Sequence, residues 1–593
     1  MTINPKDQSI PVSGADLPEN SSAGNGTNAG DGLTRRGFLG TVGAGSAIAA
    51  ATTSLVGCSG GDGQALAAGA VGPESAFQRR LSARDVRINT AQEGFLAGTQ
   101  AQSNNGDEDR YPTRYGSFSK TLPHNSLGEP DAAAYAVYLS ALSSGNVADF
   151  NAIPAGPAKL HSPQSGICFE MAGIDHQTVA MPPAPTFRSA EQASEMVENY
   201  WMSMLRDVWY GNYGSDMLVG SAIADLNAMS DFRAPKVSGA VTLGTVFRGP
   251  TAGDLAGPYI SQFLLSPFNY GSIRVEQKHR TGVAGVDYMT QVGDGTTDFQ
   301  WLHLQNGGNP AGSAFQQVSF ANSVYIRDFR SLARSVRDDP LYQFYYDAAL
   351  MCLQSGVPLQ SGNYYKTSTN QLAFATLGPP HIFDLVAKAC GQALRNIWYH
   401  KWNVHRRIRP EEYAGRVHFH QANQATYELH SDVLNSAAVS RLLMLNGTAL
   451  CPQAYPEGCP PHPSYGAGHN VVAAAGVTIL KAFFDGSTLL ANLPATAATT
   501  LKTPKVSAAD GLSLVNYMGS DAGQLTVGGE LDKMASNVAM GRNCASVHWR
   551  TEALESFKIG EAVAVAILRE MKATVNEPFS STFIGFDGST VVI

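Results

Sequence analysis

The sequence predicts a mainly α-helical protein of bundle type, with long loops and minor β-hairpins. Three observations carry this prediction. Apolar residues recur at three- and four-residue spacing over several long stretches, the signature of helices with a core-facing stripe. Sixty glycines and 31 prolines in 593 residues mark many connecting loops. Between two of the helical stretches, residues 212–335 are rich in glycine and aromatic residues and read as loops with short strands or hairpins.

Taken in chain order, residues 1–33 are polar and rich in Gly, Asn and Ser, with no pattern that builds a core. Thr34-Arg35-Arg36-Gly37-Phe38-Leu39 resembles a twin-arginine export signal, and an uncharged Ala/Gly run follows it. That run ends at Leu55-Val56-Gly57-Cys58, which resembles a bacterial lipobox with Cys58 as the lipidated residue. Fewer than 20 apolar residues make the competing reading, a membrane-spanning anchor, marginal. Residues 1–57 are thus expected to be a lipoprotein-type signal, 58–110 a tether and arm, and 111–593 the folded domain. The implied location is the periplasm or cell envelope of a bacterium, with membrane contact only through lipid on Cys58.

Within the domain, residues 189–210 open on the capping box Ser189-x-x-Gln192 and carry apolar pairs from Met196/Val197 to Val208/Trp209. Residues 340–355 start with Pro340 in a first-turn position and stop before Gly356. From about Pro380, a stripe through Ile382, Leu385/Val386, Ala389/Cys390, Leu394 and Ile397/Trp398 runs up to Lys401, and Pro410 is expected to end this helix. Another helix begins near His469 and stops at Asp485-Gly486, so Gly466-Ala467-Gly468 forms a tight turn into a helix N-terminus.

Charge narrows the function classes. A formal net charge of −8 argues against nucleic acid or an anionic membrane surface as partner. Six cysteines follow Cys58, and Cys451 and Cys459, flanking a Pro-rich loop, form the best local disulfide candidate. No CxxC occurs, so the sequence gives no support to a zinc or dithiol motif.

The chemistry concentrates in three segments: Lys401–Pro410 (KWNVHRRIRP), His462–His469 (HPSYGAGH) and Arg542–Glu552 (RNCASVHWRTE). Together they offer a lysine, arginines, a glycine turn before a helix and histidines, a donor set suited to a tetrahedral oxyanion such as phosphate or vanadate. A histidine nitrogen can then attack or coordinate the central atom. Arg406 and Arg407 are expected to be solvated or to support the site from outside. Arg542 and His548 are six apart and face one pocket only if their segment bends or the anion lies between their directions.

These segments resemble the signature of the vanadium-dependent haloperoxidase and phosphatidic-acid-phosphatase type 2 superfamily: Lys–x–Arg-Pro, Pro-Ser-Gly-His, and Arg–x–His with a following carboxylate. The seven residues between Lys401 and Arg409, the His462 to His469 spacing and Trp398 before Lys401 look like the algal bromoperoxidase branch. The resemblance implies a helical-bundle haloperoxidase/acid-phosphatase-like architecture, vanadate as cofactor, and bromide or iodide oxidation by hydrogen peroxide to hypohalous acid that halogenates small organic acceptors. It further implies His548 as the metal ligand, and Lys401, Arg409, Arg542 and the Gly468 amide as holders of the oxo ligands. His469 would be the acid–base group, His462 and Trp398 would line the halide side, and Lys401 would also polarise the peroxide. Glu552, four residues after His548, is the candidate partner for its other ring nitrogen. The branch commonly forms homo-oligomers, and it allows a structural calcium for which no residue set stands out here.

Two departures from the signature are evident: Ala467 stands where the superfamily has serine, and Glu552 where it has aspartate. The competing function is an exported acid phosphatase with His548 as nucleophile and His469 as general acid. A non-enzymatic lipoprotein with a decayed site is the third reading.

Overall fold

The computed structural model describes residues 73–310 and 315–593, and the signal and lipobox readings, including Cys58, lie outside the described residues. The compact unit runs over Ala76–Ile593. Its principal helices are α1 Ala76–Ala97, α2 Ala132–Ser144, α3 Ala190–Met204, α4 Met217–Ala228, α5 Gln343–Gln354 and α6 Pro379–Tyr399. They continue with α7 Pro410–Gln421, α8 Ala437–Asn446, α9 Gly468–Phe483, α10 Val527–Cys544 and α11 Thr551–Lys572. Three short antiparallel hairpins, Phe268–Tyr270 with Ile273–Val275, Lys505–Ser507 with Leu514–Asn516, and Thr582–Ile584 with Thr590–Val592, complete the regular structure. The mainly α class with minor hairpins is the one the sequence predicts.

At the centre lies α9, in which every residue except His469 is buried. Its composition of Ala, Val, Gly, Ile and Leu allows neighbours on all sides, and α6, α10 and α11 pack around it. The α11 crossing is close: a Cβ on Gly560 would come within 2.2 Å of the Val471 carbonyl oxygen. This crossing fixes the N-terminus of α9 relative to the start of α11, the two places from which site residues project. No helix among the described residues is long and apolar enough to cross a membrane.

Several boundaries differ from the sequence reading. Ser189 does cap α3, accepting from the Gln192 amide, but the helix stops at Met204 because Leu205 leaves helical geometry. Pro340 precedes α5 rather than opening it, and the glycine- and aromatic-rich stretch contains α4, capped by Asp216. The arm before Arg110 is partly helical, since α1 spans 22 residues with none buried. Cys451 and Cys459 are buried free thiols, not a disulfide. Cys459 Sγ lies 3.6 Å from the Ser546 carbonyl oxygen instead.

Pro410 also plays a different part from the one expected. The stripe of α6 ends at Tyr399, and a π-helical turn, His400–His405, carries Lys401. Arg406 then reverses the chain at φ 40°, and Pro410 occupies the first turn of α7, where its missing N–H costs nothing. Arg409, immediately before the proline, is extended at φ −87° and ψ 156°, as steric conflict with the proline ring requires.

Candidate active site

Each of the three segments reaches one buried region by a local device. The π-turn after α6 rotates Lys401 inward, where it is fully buried and its Nζ donates to the Pro463 and Ser464 carbonyls, both at 2.9 Å. An ammonium has three hydrogens, so one remains for a ligand. Arg409 is also fully buried, and its Nη1 and Nη2 reach the Val547 and Pro463 carbonyls at 2.6 and 3.3 Å. Its backbone N–H is held by Glu412 Oε2 at 3.0 Å, which locks the residue ahead of α7.

Arg542 leaves the last turn of α10, donating from Nη1 to the Val336 carbonyl at 2.6 Å, while its Nε is buried with no partner. Between α10 and α11 the chain turns through Ser546 at φ 67°, which supplies the bend that Arg542 and His548 need in order to converge.

Arg409 Nη1 lies 3.1 Å from His548 Nε2, and its Nη2 lies 2.9 Å from His462 Nδ1. The His462 ring sits 4.7 Å from the Trp398 ring, and Lys401 Nζ is 5.5 Å from Trp398. Gly468 opens α9 beside the same indole: a Cβ there would meet Trp398 Cζ3 at 3.1 Å. The amides of this first turn have no partner within the helix. His469 follows, its Nε2 3.1 Å from Asp339 Oδ1. Trp398, Lys401, Arg409, His462, Gly468, His469, Arg542, His548 and Glu552 are therefore drawn to one locality.

The tautomer of His548 follows from its partners. Its Nδ1 forms a short contact with Glu552 Oε2, so the proton belongs there and the Nε2 lone pair faces the cations. Glu552 is the partner the sequence proposes, though His548 lies in the turn before α11 rather than one helical turn back on it. Ser464 Oγ donates to Glu552, so this hydroxyl is directed at the carboxylate and does not stand in for the serine replaced by Ala467. Changing Glu552 to Gln is expected to weaken binding of a tetrahedral oxyanion at this site by about 10–100-fold, with the fold kept, because the histidine loses the carboxylate that orients it. Equilibrium dialysis against vanadate reads this directly.

Electrostatics identify what the region takes. Among the described residues, no carboxylate lies within ion-pair distance of Lys401, Arg409 or Arg542; the carboxylates of the region are engaged otherwise, Glu195 with Arg407, Glu552 with Arg407 and His548, and Asp339 with His469. Burial pulls the Lys401 ammonium well below its ordinary range, and Arg409 and Arg542 add to this. Burial likewise lowers the Arg409 guanidinium. The His548 imidazole is pushed well below its usual value by burial, then by Arg409 and Lys401, and is held neutral as a ligand nitrogen must be. Burial raises the Glu552 carboxyl against the pull of Arg407, Lys401 and Arg409. Three buried cations without a counter-carboxylate, an orphaned guanidinium N–H, a helix N-terminus and a neutral imidazole together fit a tetrahedral oxyanion bound at nitrogen.

Sequence reasoning missed two supports, Asp339 and His161, and left a third, Arg407, open. Of the two readings left open for Arg407, the structure shows support from outside: its guanidinium is buried over the Tyr465 and Trp549 rings at 5.6 and 5.1 Å, pairs with Glu195 at 2.7 Å and lies 3.6 Å from Glu552. Asp339 orients His469 from 130 residues away, with no motif to announce it. His161 lies 5.8 Å from His462, ring to ring, and its carbonyl accepts from Trp398 Nε1. A cleft of about 390 Å³, lined in part by His161, Arg337, Tyr455 and Arg542, opens beside this region. The more apolar cavity of about 460 Å³ around Tyr210, Tyr213 and Tyr259 shares no residue with it.

Comparison with known proteins decides the family. Residues 381–577 match the family model described as the VCPO second helical-bundle domain. A vanadium-dependent bromoperoxidase of Corallina pilulifera is 31% identical, over 88% of this chain and 98% of its own length. This chain belongs to the vanadium-dependent bromoperoxidase family. A further member, from Ascophyllum nodosum, is 32% identical over 87% of this chain and 92% of its own. The solved homohexameric structure of a second vanadate-dependent bromoperoxidase from that alga superposes with a TM-score of 0.81 at 28% identity, covering 95% of this chain and 96% of that one. The bundle that carries the bromoperoxidase family's fold is thus the one that gathers the cations and histidines here.

Proposed function

We propose that the protein is a vanadate-dependent haloperoxidase that oxidises bromide or iodide with hydrogen peroxide to hypohalous acid, which halogenates small organic acceptors. The observation that carries the reading is the cluster of Lys401, Arg409 and Arg542, buried without carboxylate partners around the lone pair of His548. Vanadate bound there supplies a Lewis-acidic centre that activates peroxide towards halide without a change of oxidation state. Lys401, Arg409, Arg542 and the Gly468 amide hold its oxygens and offset their charge with preorganised donors. His548 supplies the nitrogen ligand through Nε2, and Glu552 fixes the ring. Trp398 and His462 form the wall on which halide approaches.

His469 takes and returns the peroxide proton. Burial lowers its pKa, while Asp339 opposes the shift. Asp339→Asn removes the opposing charge, so the His469 pKa falls further and the acid limb of the rate profile is expected to move to lower pH. A pH profile of bromide oxidation in both proteins checks the direction; an unchanged limb would remove His469 from the proton step.

The reading is tested with chelator-dialysed protein assayed for peroxide-dependent bromide and iodide oxidation and, in parallel, for phosphatase activity. Halide oxidation restored by vanadate and suppressed by competing phosphate is expected. Phosphatase turnover without halide oxidation would reassign His548 as a nucleophile. No observation favours that second reading over the first.

The same proposal includes a homo-oligomer, supported by the homohexameric relative and by the apolar side chains that α1 leaves exposed, among them Phe77, Ile88 and Phe95. Light scattering is expected to give a multiple of the chain mass, and a monomer would refute this part. Export and lipidation of Cys58 rest on the signal-like sequence; mass spectrometry of the N-terminal peptide from the native host tests them.

A further inference from the structure

Outside the cation cluster, one group of side chains has no part in halide oxidation. It lies on the segment that runs from His161 along the outer side of α6. Gly166 packs against that helix so closely that a Cβ would sit 2.6 Å from Tyr399 Cα. Just beyond it, one ligand atom each from Cys168, Glu170 and His176 lies within 4.8 Å of the other two.

His176 is 3% exposed, and its Nδ1 lies 2.9 Å from the Gly166 carbonyl oxygen. A carbonyl only accepts, so Nδ1 carries the proton and the other nitrogen, Nε2, is turned to the cluster. Nε2 is buried, forms no hydrogen bond and lies 3.6 Å from Glu170 Oε1. In the neutral ring two lone pairs face each other there, an arrangement that either a proton or a metal ion between them relieves. A backbone carbonyl fixing the far nitrogen is the arrangement that orients metal-bound histidines.

We propose that Cys168, Glu170 and His176 form a binding site for a zinc-like divalent transition metal, separate from the vanadate site. The donor set of thiolate, imidazole and carboxylate suits zinc and not calcium or magnesium, which demand oxygen. Tetrahedral zinc places ligand atoms roughly 3.3–3.8 Å apart. The His176–Glu170 pair already meets this spacing, and the half-buried Cys168 closes the third side by a small shift of its loop. Arg395 also holds Glu170 with two nitrogens, Nε on Oε1 at 2.5 Å and Nη2 on Oε2 at 2.9 Å; each carboxylate oxygen keeps a second lone pair for a metal. Water supplies the fourth ligand. On binding, the thiol proton is released to solvent and the thiolate bonds the metal.

The sequence offers no signal for this site, because Cys168-x-Glu170 followed by His176 matches no paired-cysteine spacing.

The test uses the whole chain, stripped with chelator and then titrated with zinc or cobalt(II) in the absence of vanadate. Alkylation of Cys168 is followed on its own peptide, so the other cysteines do not interfere. Zinc is expected to slow that alkylation by roughly tenfold or more, because a metal-bound thiolate is not free to react. Cobalt(II) is expected to give a thiolate charge-transfer band with one metal per chain. H176Q should lose the protection although Cys168 remains, and C168S should lose the band. Equal alkylation rates with and without zinc in the wild type would overturn the proposal, as would full protection in H176Q. Should H176Q fail to fold, the C168S arm decides alone: a cobalt spectrum and stoichiometry unchanged from wild type overturn the site.

Discussion

Replacing His548 by alanine is expected to reduce vanadate-dependent bromide oxidation to background and to abolish tight vanadate binding. The ring is buried, neutral and unable to exchange its role with a neighbour, because its Nδ1 is committed to Glu552 and its Nε2 faces the cations. His462 is close to Arg409, yet it lies against Trp398 and offers no route to the His548 position. The loss should therefore appear in binding as well as in turnover, and added vanadate should not rescue it. Retained activity at saturating vanadate would remove His548 from the ligand role. Circular dichroism and a melting curve separate this from unfolding.

The second large effect is expected at Arg409. Alanine there removes one charged donor from the buried cluster, and a hydrogen bond to a charged group is worth about 1.5–3 kcal/mol, or roughly 10–150-fold in vanadate affinity. Arg409→Lys should fall between, since it keeps the charge but loses the planar fork. Phosphate competition should weaken in parallel, because both tetrahedral anions use the same donors. Equilibrium dialysis of the two variants with vanadate, with and without phosphate, measures this; unchanged affinity in Arg409→Ala would remove Arg409 from the oxyanion site.

The helices most legible in the sequence are those whose apolar spacing matches their packing. The stripe from Ile382 to Trp398 became α6, and the run after His469 became α9. Caps with a side-chain oxygen, such as Ser189, were legible too, because their signal is local. Ends set by tertiary geometry were not. The π-turn at His400–His405 leaves no periodic trace, and it changes the part of Pro410 from ending one helix to starting the next. Helix α4 was hidden in a glycine-rich stretch, since small residues give it little stripe.

At the site, the residues that carry donors were legible because their order and types are unusual together, whereas the residues that hold them were not. For Arg407 the sequence leaves solvation and outer support equally open until Tyr465, Trp549 and Glu195 are seen around it. Asp339 meets His469 only through the fold. The Cys451–Cys459 pairing failed for a similar reason: nearness along the chain does not by itself make a disulfide, and both thiols stay free in the core.

The central claim is that a vanadate bound in the buried cation cluster is held through the nitrogen of His548. The most direct measurement is the vanadium K-edge absorption spectrum of the vanadate-loaded protein beside the loaded His548→Ala variant. The expected result is one nitrogen scatterer among oxygens in the wild type, lost in the variant. An oxygen-only shell in the wild type, or identical spectra for the two proteins, would contradict the claim.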